Sequence, residues 1–296
     1  MTILRFIRLG LLALWRGLDT LRRVLHLVLL LPLLVILLAA LIGDRRTVPD
    51  GAALVVAPSG FLVEQVEGDP LDRALRELQG TGPRQTSLKD LLDSLAAAAT
   101  DDRISLVVLQ LDDLQGADLA KLQLVGGALR ELRAAGKPVI AAGSGYTQEQ
   151  YYLAAHADEI LMHELGLVYL DGYGYYRTFF RGALDKLFID LNVFRVGEYK
   201  SFVEPWTRDD MSPEDREASR RWLSGLWQAW IRDVAAARGI AADELAAYAD
   251  RFAGAMERTG GDAARVAVDS GLVDRLLSRP AMERRIAERL TGDADA

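Results

Sequence analysis

From Val24 to Gly43 the chain runs for 20 residues without a formal charge, and this run limits what the whole chain can become. Wound as a helix, about 20 residues cover roughly 30 Å, the thickness of a bilayer core. A helix that is apolar on every side needs burial in protein or in lipid. Pro32 within it is tolerable in a membrane helix. Arg5, Arg8, Arg16, Arg22 and Arg23 precede the run, and only Arg45 and Arg46 closely follow it. The positive-inside rule then places the N-terminus in the cytoplasm and the body on the far side. The long arginine-rich lead and the lack of a small-x-small pattern before Asp44 favour an uncleaved anchor over a signal peptide. Leu4 to Trp15, apolar with interspersed arginines, reads as an amphipathic helix on the cytoplasmic surface. The expected segments are 1–23 (basic, cytoplasmic), 24–43 (anchor), 44–52 (linker), 53–278 (body) and 279–296 (charged helix and tail).

Charge divides along the same line. Residues 1–46 carry +5, and the remainder of the 296-residue chain carries −12. An acidic body excludes nucleic acid as an expected partner, because phosphate binding needs a basic face. There is no cysteine, so disulfides and thiolate metal sites are excluded.

The body alternates short apolar runs with helical stripes. Ala53–Ala57, Ile104–Leu111, Pro138–Ala142 and Glu159–Met162 read as buried strands. Ser87 caps a helix carrying Leu88, Leu91, Leu92 and Leu95; a second helix ends at Gly136; a third runs from about Thr147 to His156. Residues 67–86 read as a loop with a weak helical patch at Leu71–Leu78, and Gln115-Gly116 as a turn. Tyr175–Leu187 reads as a helix. Strands alternating with helices at this spacing predict an α/β fold with a largely parallel sheet.

The chemistry-bearing stretch is Phe194-Arg195-Val196-Gly197-Glu198-Tyr199-Lys200-Ser201-Phe202-Val203-Glu204-Pro205, followed by Arg208-Asp209-Asp210-Met211-Ser212-Pro213. Val193, Phe194 and Val196 suit a strand, and Gly197 allows a tight turn. Ser212, Pro213, Glu214 and Asp215 start a long helix to about Arg238, with Trp222, Leu226, Trp230 and Val234 on one stripe. Lys200 is thus expected at a strand end between two ordered elements. A partly desolvated lysine there can act as a general base, whereas a solvated one is only a surface charge.

This stretch resembles the lysine motif in the N-terminal half of the long form of the signal peptide peptidase A (protease IV) family. The resemblance extends from the membrane segment to about Leu277, with 195–222 as its most specific part. It implies a Clp-protease/crotonase-like ββα spiral fold behind a transmembrane helix. It also implies a serine peptidase of the bacterial inner membrane, its domain periplasmic, that uses a Ser/Lys dyad on released signal peptides. By the resemblance Lys200 is the general base, and family members assemble into rings. The family's nucleophile lies in a Ser-Gly-Gly-Tyr-like turn, where this chain has Gln148-Glu149-Gln150-Tyr151, and Gln148 cannot be a nucleophile. The glycine pair that supplies an oxyanion donor is represented by Gly116-Ala117. In the long form the first domain gives the lysine and the second gives the serine. The implied partners are therefore peptide substrates, membrane lipid, and further copies of the chain or a serine-bearing second half. No cofactor and no metal is implied. The alternative is a catalytically inactive, membrane-anchored ring scaffold. An acyl-CoA enzyme would follow from fold alone and is disfavoured by the anchor.

Other residues carry weaker signals. Ser144, in Gly143-Ser144-Gly145, is the serine nearest the expected nucleophile position and reads as a loop residue. The three histidines, His26, His156 and His163, have no spacing that builds a zinc site or a triad. Asp209-Asp210 fits an acidic helix-entry loop better than a metal pair.

Overall fold

A computed structural model describes residues 2–42, 48–69, 75, 84–194, 196–197 and 199–292. The chain divides into two compact units, one ending at Val48 and the other beginning at Pro49. The first is a single helix, α1 (Thr2–Ile42), with Pro32 inside it. Within Trp15–Leu38 an 18-residue window has a mean hydropathy of 2.3 and none of that window is buried, so α1 is long and apolar enough to cross a membrane. Near its polar end Arg22 and Arg23 both pair with Asp19, at 2.9 and 2.7 Å. The amphipathic segment and the apolar run predicted separately are parts of this one helix.

The second unit is built on a repeat. Its strands are β1 (Ala52–Val56), β2 (Gly60–Val63), β3 (Gln85–Ser87), β4 (Ile104–Leu109), β5 (Leu114–Gly116), β6 (Val139–Gly143), β7 (Glu159–Met162) and β8 (Arg275–Leu276). Its first helices are α2 (Leu88–Thr100), α3 (Leu119–Ala134) and α4 (Gln148–Ala154). Five strands form one sheet in the order β1-β4-β6-β7-β8, and β3-β2-β5 form a second; every pairing is parallel. In successive units a strand enters the large sheet, the chain then turns into the small sheet, and a helix follows. β1, β2 and α2 make one unit, and β4, β5 and α3 the next. β6 continues the pattern through a bridge between Tyr146 and Val168 before α4. The fold is thus α/β with parallel sheets in a ββα repeat.

The central strands β4, β6 and β7 of the large sheet are buried on both faces, as the continuous apolar runs predict. Side chains alternate along a strand, so Val107, Leu109, Val139, Ala141, Ile160 and Met162 join the main core. Leu106, Val108, Ile140, Ala142 and Leu161 point the other way. That second face is covered by Met282, Ile286 and Leu290 of α10 (Arg279–Thr291). Glu159, at the start of β7, fastens α10 in place: its carboxylate accepts from Arg275 (2.9 Å), from Arg285 Nε and Nη2 (3.0 and 3.1 Å) and from Arg289 (3.1 Å).

Between β7 and β8 lie α5 (Arg181–Lys186), α6 (Glu204–Thr207), α7 (Pro213–Arg238), α8 (Ala242–Arg258) and α9 (Ala263–Asp269). α7 starts as predicted: Ser212 Oγ accepts from the Asp215 N–H at 3.1 Å, and Pro213 opens the helix. It stops at Gly239, whose φ of 67° suits glycine. Trp230 and Val234 of its stripe are fully buried, while Trp222 stays half-exposed.

Four expectations are corrected. The loop expected over 67–86 gives way at Gln85 to β3. Residues 193, 194 and 196 form no strand; the run is irregular, and Phe194 and Val196 are 97% and 84% exposed. The helix predicted over 175–187 shrinks to α5. Gln115-Gly116 belongs to β5 rather than to a turn. Most of the patch at Leu71–Leu78, the residues Arg195 and Glu198 of the lysine stretch, and the tail beyond Gly292 lie outside the described residues.

His156, at the end of α4, is fully buried. Its Nδ1 lies 2.8 Å from the Tyr152 carbonyl and its Nε2 3.0 Å from Arg130 Nη1. A carbonyl only accepts and a guanidinium only donates, so Nδ1 carries the proton and the ring is neutral. Burial pushes its pKa below the usual 6.5; the bond to Tyr152 works against this, and the Arg130 charge works with it. The unfolded chain takes up a proton near pH 6.5 before the folded one does. This part of the stability is therefore complete above that pH and is lost as pH falls through 6.5 toward the folded value. Urea unfolding at pH 7.5 and 5.5 should show a loss at 5.5 that is reduced in His156→Asn.

Candidate active site

The residues expected at the oxyanion donor and at the nucleophile position lie on neighbouring elements. Gly116 ends β5 and is buried; Ala117 leads into α3, whose cap is Asp118. A side chain at Gly116 would come within 3.2 Å of the Phe61 ring, so the tight fit favours glycine here. α4 begins at Gln148 behind its cap Thr147, which shares a capping box with Gln150. Gln150 also donates from Nε2 to the Leu114 carbonyl at 2.8 Å, tying the start of α4 to β5.

Gln148 is buried, and both polar atoms of its amide are bonded. Its Oε1 accepts from the Gly172 N–H at 2.7 Å, and its Nε2 donates to the Gly172 carbonyl at 3.3 Å. Gly172 has φ of 72°, so the amide pins a left-handed turn. At the position where the resemblance leads one to expect a nucleophile, the side chain clamps the Gly172 backbone from both sides. Gln148→Ser should leave both Gly172 groups unpaired and cost about 1–3 kcal/mol, read as a lower urea midpoint.

Lys200 stands elsewhere, in irregular backbone between Gly197 (φ 107°) and α6, and it is exposed. On its N-terminal side the apolar Phe194 and Val196 are exposed. Phe202 on its C-terminal side is also exposed, at 85%. Leu184, Leu191, Val193, Val203 and Trp206 line an apolar cavity of about 370 Å³ in the same excursion. The segment is held through Ser201. Ser201 Oγ donates to Asp215 Oδ1 at 2.6 Å, Arg177 Nη1 donates to Asp215 Oδ2 at 2.8 Å, and Arg177 Nη2 donates to the Ser201 carbonyl at 3.1 Å. These bonds bridge 14 to 38 residues of sequence, and no short-range pattern announces them.

Ser144 lies apart, in a cavity of about 320 Å³ at the carboxyl ends of the large sheet, with Asp112, His163 and Arg279 among its walls. Its hydroxyl is 3.1 Å from Asp112 Oδ2 and 3.3 Å from Arg279 Nη2, and its N–H donates to Asp112 Oδ1 at 2.8 Å. Arg279 also bonds that carboxylate at 3.3 Å. The hydroxyl is therefore held between an arginine-paired carboxylate and the guanidinium itself, an arrangement that supplies no strong base. His163 Nδ1 accepts from the Leu165 N–H at 3.1 Å. Among the described residues no group of three histidines and carboxylates converges as a metal site. Asp210 is engaged by Arg208 and Arg216.

Residues 131–290, more than half of the chain, match peptidase family S49. The chain belongs to that family. Protease 4 of Salmonella typhi is 39% identical over 241 residues, which is 80% of this chain and 39% of that one. Protease 4 of Haemophilus influenzae is 35% identical over 261 residues, 86% of this chain and 42% of that one. A chloroplastic serine protease, SPPA of Arabidopsis thaliana, is 27% identical over 153 residues, 52% of this chain and 22% of that one. This S49 chain thus spans about two fifths of the length of the two Protease 4 relatives. Among solved structures, an enoyl-CoA hydratase/isomerase family protein from Silicibacter pomeroyi overlays at 14% identity and a TM-score of 0.38, over 84% of this chain and 81% of that one.

Proposed function

We propose that this S49 chain is the lysine-bearing part of a membrane-anchored serine endopeptidase that degrades signal peptides after their release. The observation that carries the reading is that Gln148, where the resemblance puts the nucleophile, is tied to the Gly172 backbone by both ends of its amide, while the family match and the lysine stretch are retained. The serine comes from a second domain or chain. The segment 24–43 crosses the bacterial inner membrane once, with 1–23 in the cytoplasm. Residues 44–52 link it to the body, 53–278, which stands on the periplasmic side with 279–296.

Lys200 in its amine form takes the proton from the serine hydroxyl as oxygen attacks the scissile carbonyl carbon. Backbone N–H groups at Gly116 and Ala117 stabilise the oxyanion. The lysine ammonium then gives its proton to the leaving amine as the C–N bond breaks, and water releases the acyl group. A base lysine needs a desolvated setting, because removal from water disfavours the ammonium. Lys200 is exposed here among exposed apolar side chains, which supports its cover coming from another protein surface. That surface is the serine-bearing half or a further copy within an oligomer. Extended apolar peptide is the substrate that suits such surroundings.

The test is hydrolysis of a synthetic leader peptide by this chain alone and after addition of a serine-bearing S49 half. Hydrolysis only by the pair is expected. Silence in both arms would favour the alternative, a catalytically inactive anchored ring scaffold, for which the bonded Gln148 and the exposed apolar excursion also speak.

A further inference from the structure

The two sides of Lys200 are held differently. Before it the described residues 193, 194, 196 and 197 belong to no helix or strand, and Phe194 and Val196 stand in solvent. After it Ser201 is fixed at its carbonyl and at its hydroxyl: Arg177 donates to the carbonyl at 3.1 Å, and the hydroxyl donates to Asp215 at 2.6 Å. The triangle closes through the Arg177–Asp215 ion pair at 2.8 Å, with side chains only 12% and 8% exposed. Asp215 lies in the first turn of α7, a 26-residue helix that buries Trp230 and Val234 in the core. A second fastening lies three residues on. Glu204, fully buried, accepts from the Ser212 N–H at 3.0 Å and from Ser212 Oγ at 2.6 Å, and Ser212 is the cap of the same helix. The loop leaving Lys200 is therefore fastened twice to the start of α7.

We propose that Ser201, Asp215 and Arg177 are positioning residues that hold the Lys200 main chain in the place where its amine meets the serine; this rests on Lys200 being the base. The physical case is one of entropy and distance. A lysine has four rotatable side-chain bonds, so a wandering main chain would spread its amine over many positions. A misplacement of about 1 Å at a reacting group can cost about 10²-fold in rate. A buried, charge-balanced triangle on a long helix suits this task because each member is itself locked. Arg177 gives both a charge for Asp215 and a second N–H for the Ser201 carbonyl, a pairing that a lysine at 177 could not reproduce.

The experiment compares Ser201→Ala, Ser201→Thr, Asp215→Asn and Lys200→Ala in the full chain joined by the serine-bearing half. Leader-peptide kinetics and amide hydrogen exchange over 199–203 are read on the same samples. Ser201→Ala is expected to lower kcat about tenfold with KM within twofold, and Ser201→Thr, which keeps the hydroxyl, to restore most of it. Exchange over 199–203 should quicken at least tenfold in Ser201→Ala and Asp215→Asn, while exchange within α7 stays as in the wild type. Unchanged exchange over 199–203 in both variants overturns the proposal, whether or not the samples hydrolyse peptide. So does unchanged kcat in Ser201→Ala in a sample that Lys200→Ala inactivates. Wild-type turnover by Lys200→Ala sinks the base reading instead, and faster exchange in the Ser201 and Asp215 variants would then leave the clamp as a purely structural feature.

Discussion

Lys200→Ala is expected to cut leader-peptide hydrolysis by the joined enzyme by about 10³-fold, within the span of about 10²–10⁴ that a positioned general base contributes. KM should stay within about threefold, since the lysine acts on the proton of the nucleophile and not on the bulk of the peptide. Lys200→Arg should be as inactive as the alanine variant: a guanidinium stays protonated and cannot accept the serine proton. Both variants should keep the wild-type melting temperature, because Lys200 is exposed and outside the core. Activity retained by the arginine variant would mean that charge, and not proton transfer, is what the position supplies.

The second large effect is on stability. Glu159→Gln should destabilise the body by about 3 kcal/mol, toward the lower end of what breaking a buried ion pair costs. The carboxylate is 7% exposed and faces three guanidinium groups, but Arg275, Arg285 and Arg289 are 54%, 24% and 50% exposed and can return to water. For a body of this size the melting temperature should fall by roughly 6–12 °C. Hydrogen exchange in α10 should rise first, because Arg285 and Arg289 lie on that helix. Burial alone would raise the Glu159 pKa; hydrogen bonds from Arg285 and Arg289 outweigh it and bring the carboxyl below its ordinary 4.5. Its contribution is therefore complete above about pH 4.5 and is lost as pH falls through the lower, folded value. The wild type should lose more stability than Glu159→Gln between pH 5 and 3 in urea unfolding.

Of the five strands of the large sheet, β8, two residues long and partly exposed, was not legible; the other four were, the central ones because both of their faces are buried. Such strands read as unbroken apolar runs, and Glu159–Met162 appears at the predicted bounds. The small sheet was not legible. Gly60–Val63, Gln85–Ser87 and Leu114–Gly116 are three or four residues long, and glycine and polar side chains break their pattern. The opposite error arose at Val193, Phe194 and Val196, where β-branched and aromatic residues stand exposed instead of paired. Their composition answers to an apolar surface, and strand propensity cannot tell that from a sheet. At the site, the caps at Ser87 and Ser212 could be read locally, since a cap and its partner are three residues apart. Gln148 could be excluded as a nucleophile from its chemistry, but its grip on Gly172, 24 residues away, could not be foreseen. The same holds for the triangle of Arg177, Ser201 and Asp215.

The central claim is that Lys200 on this chain serves a serine that this chain does not supply. Labelling of the joined enzyme with a serine-reactive fluorophosphonate, followed by peptide mapping, tests it most directly. The expected result is a label on a serine of the added half, present with wild-type Lys200 and lost in Lys200→Ala. A label on Ser144, or on any serine of this chain with the added half left unlabelled, would contradict it.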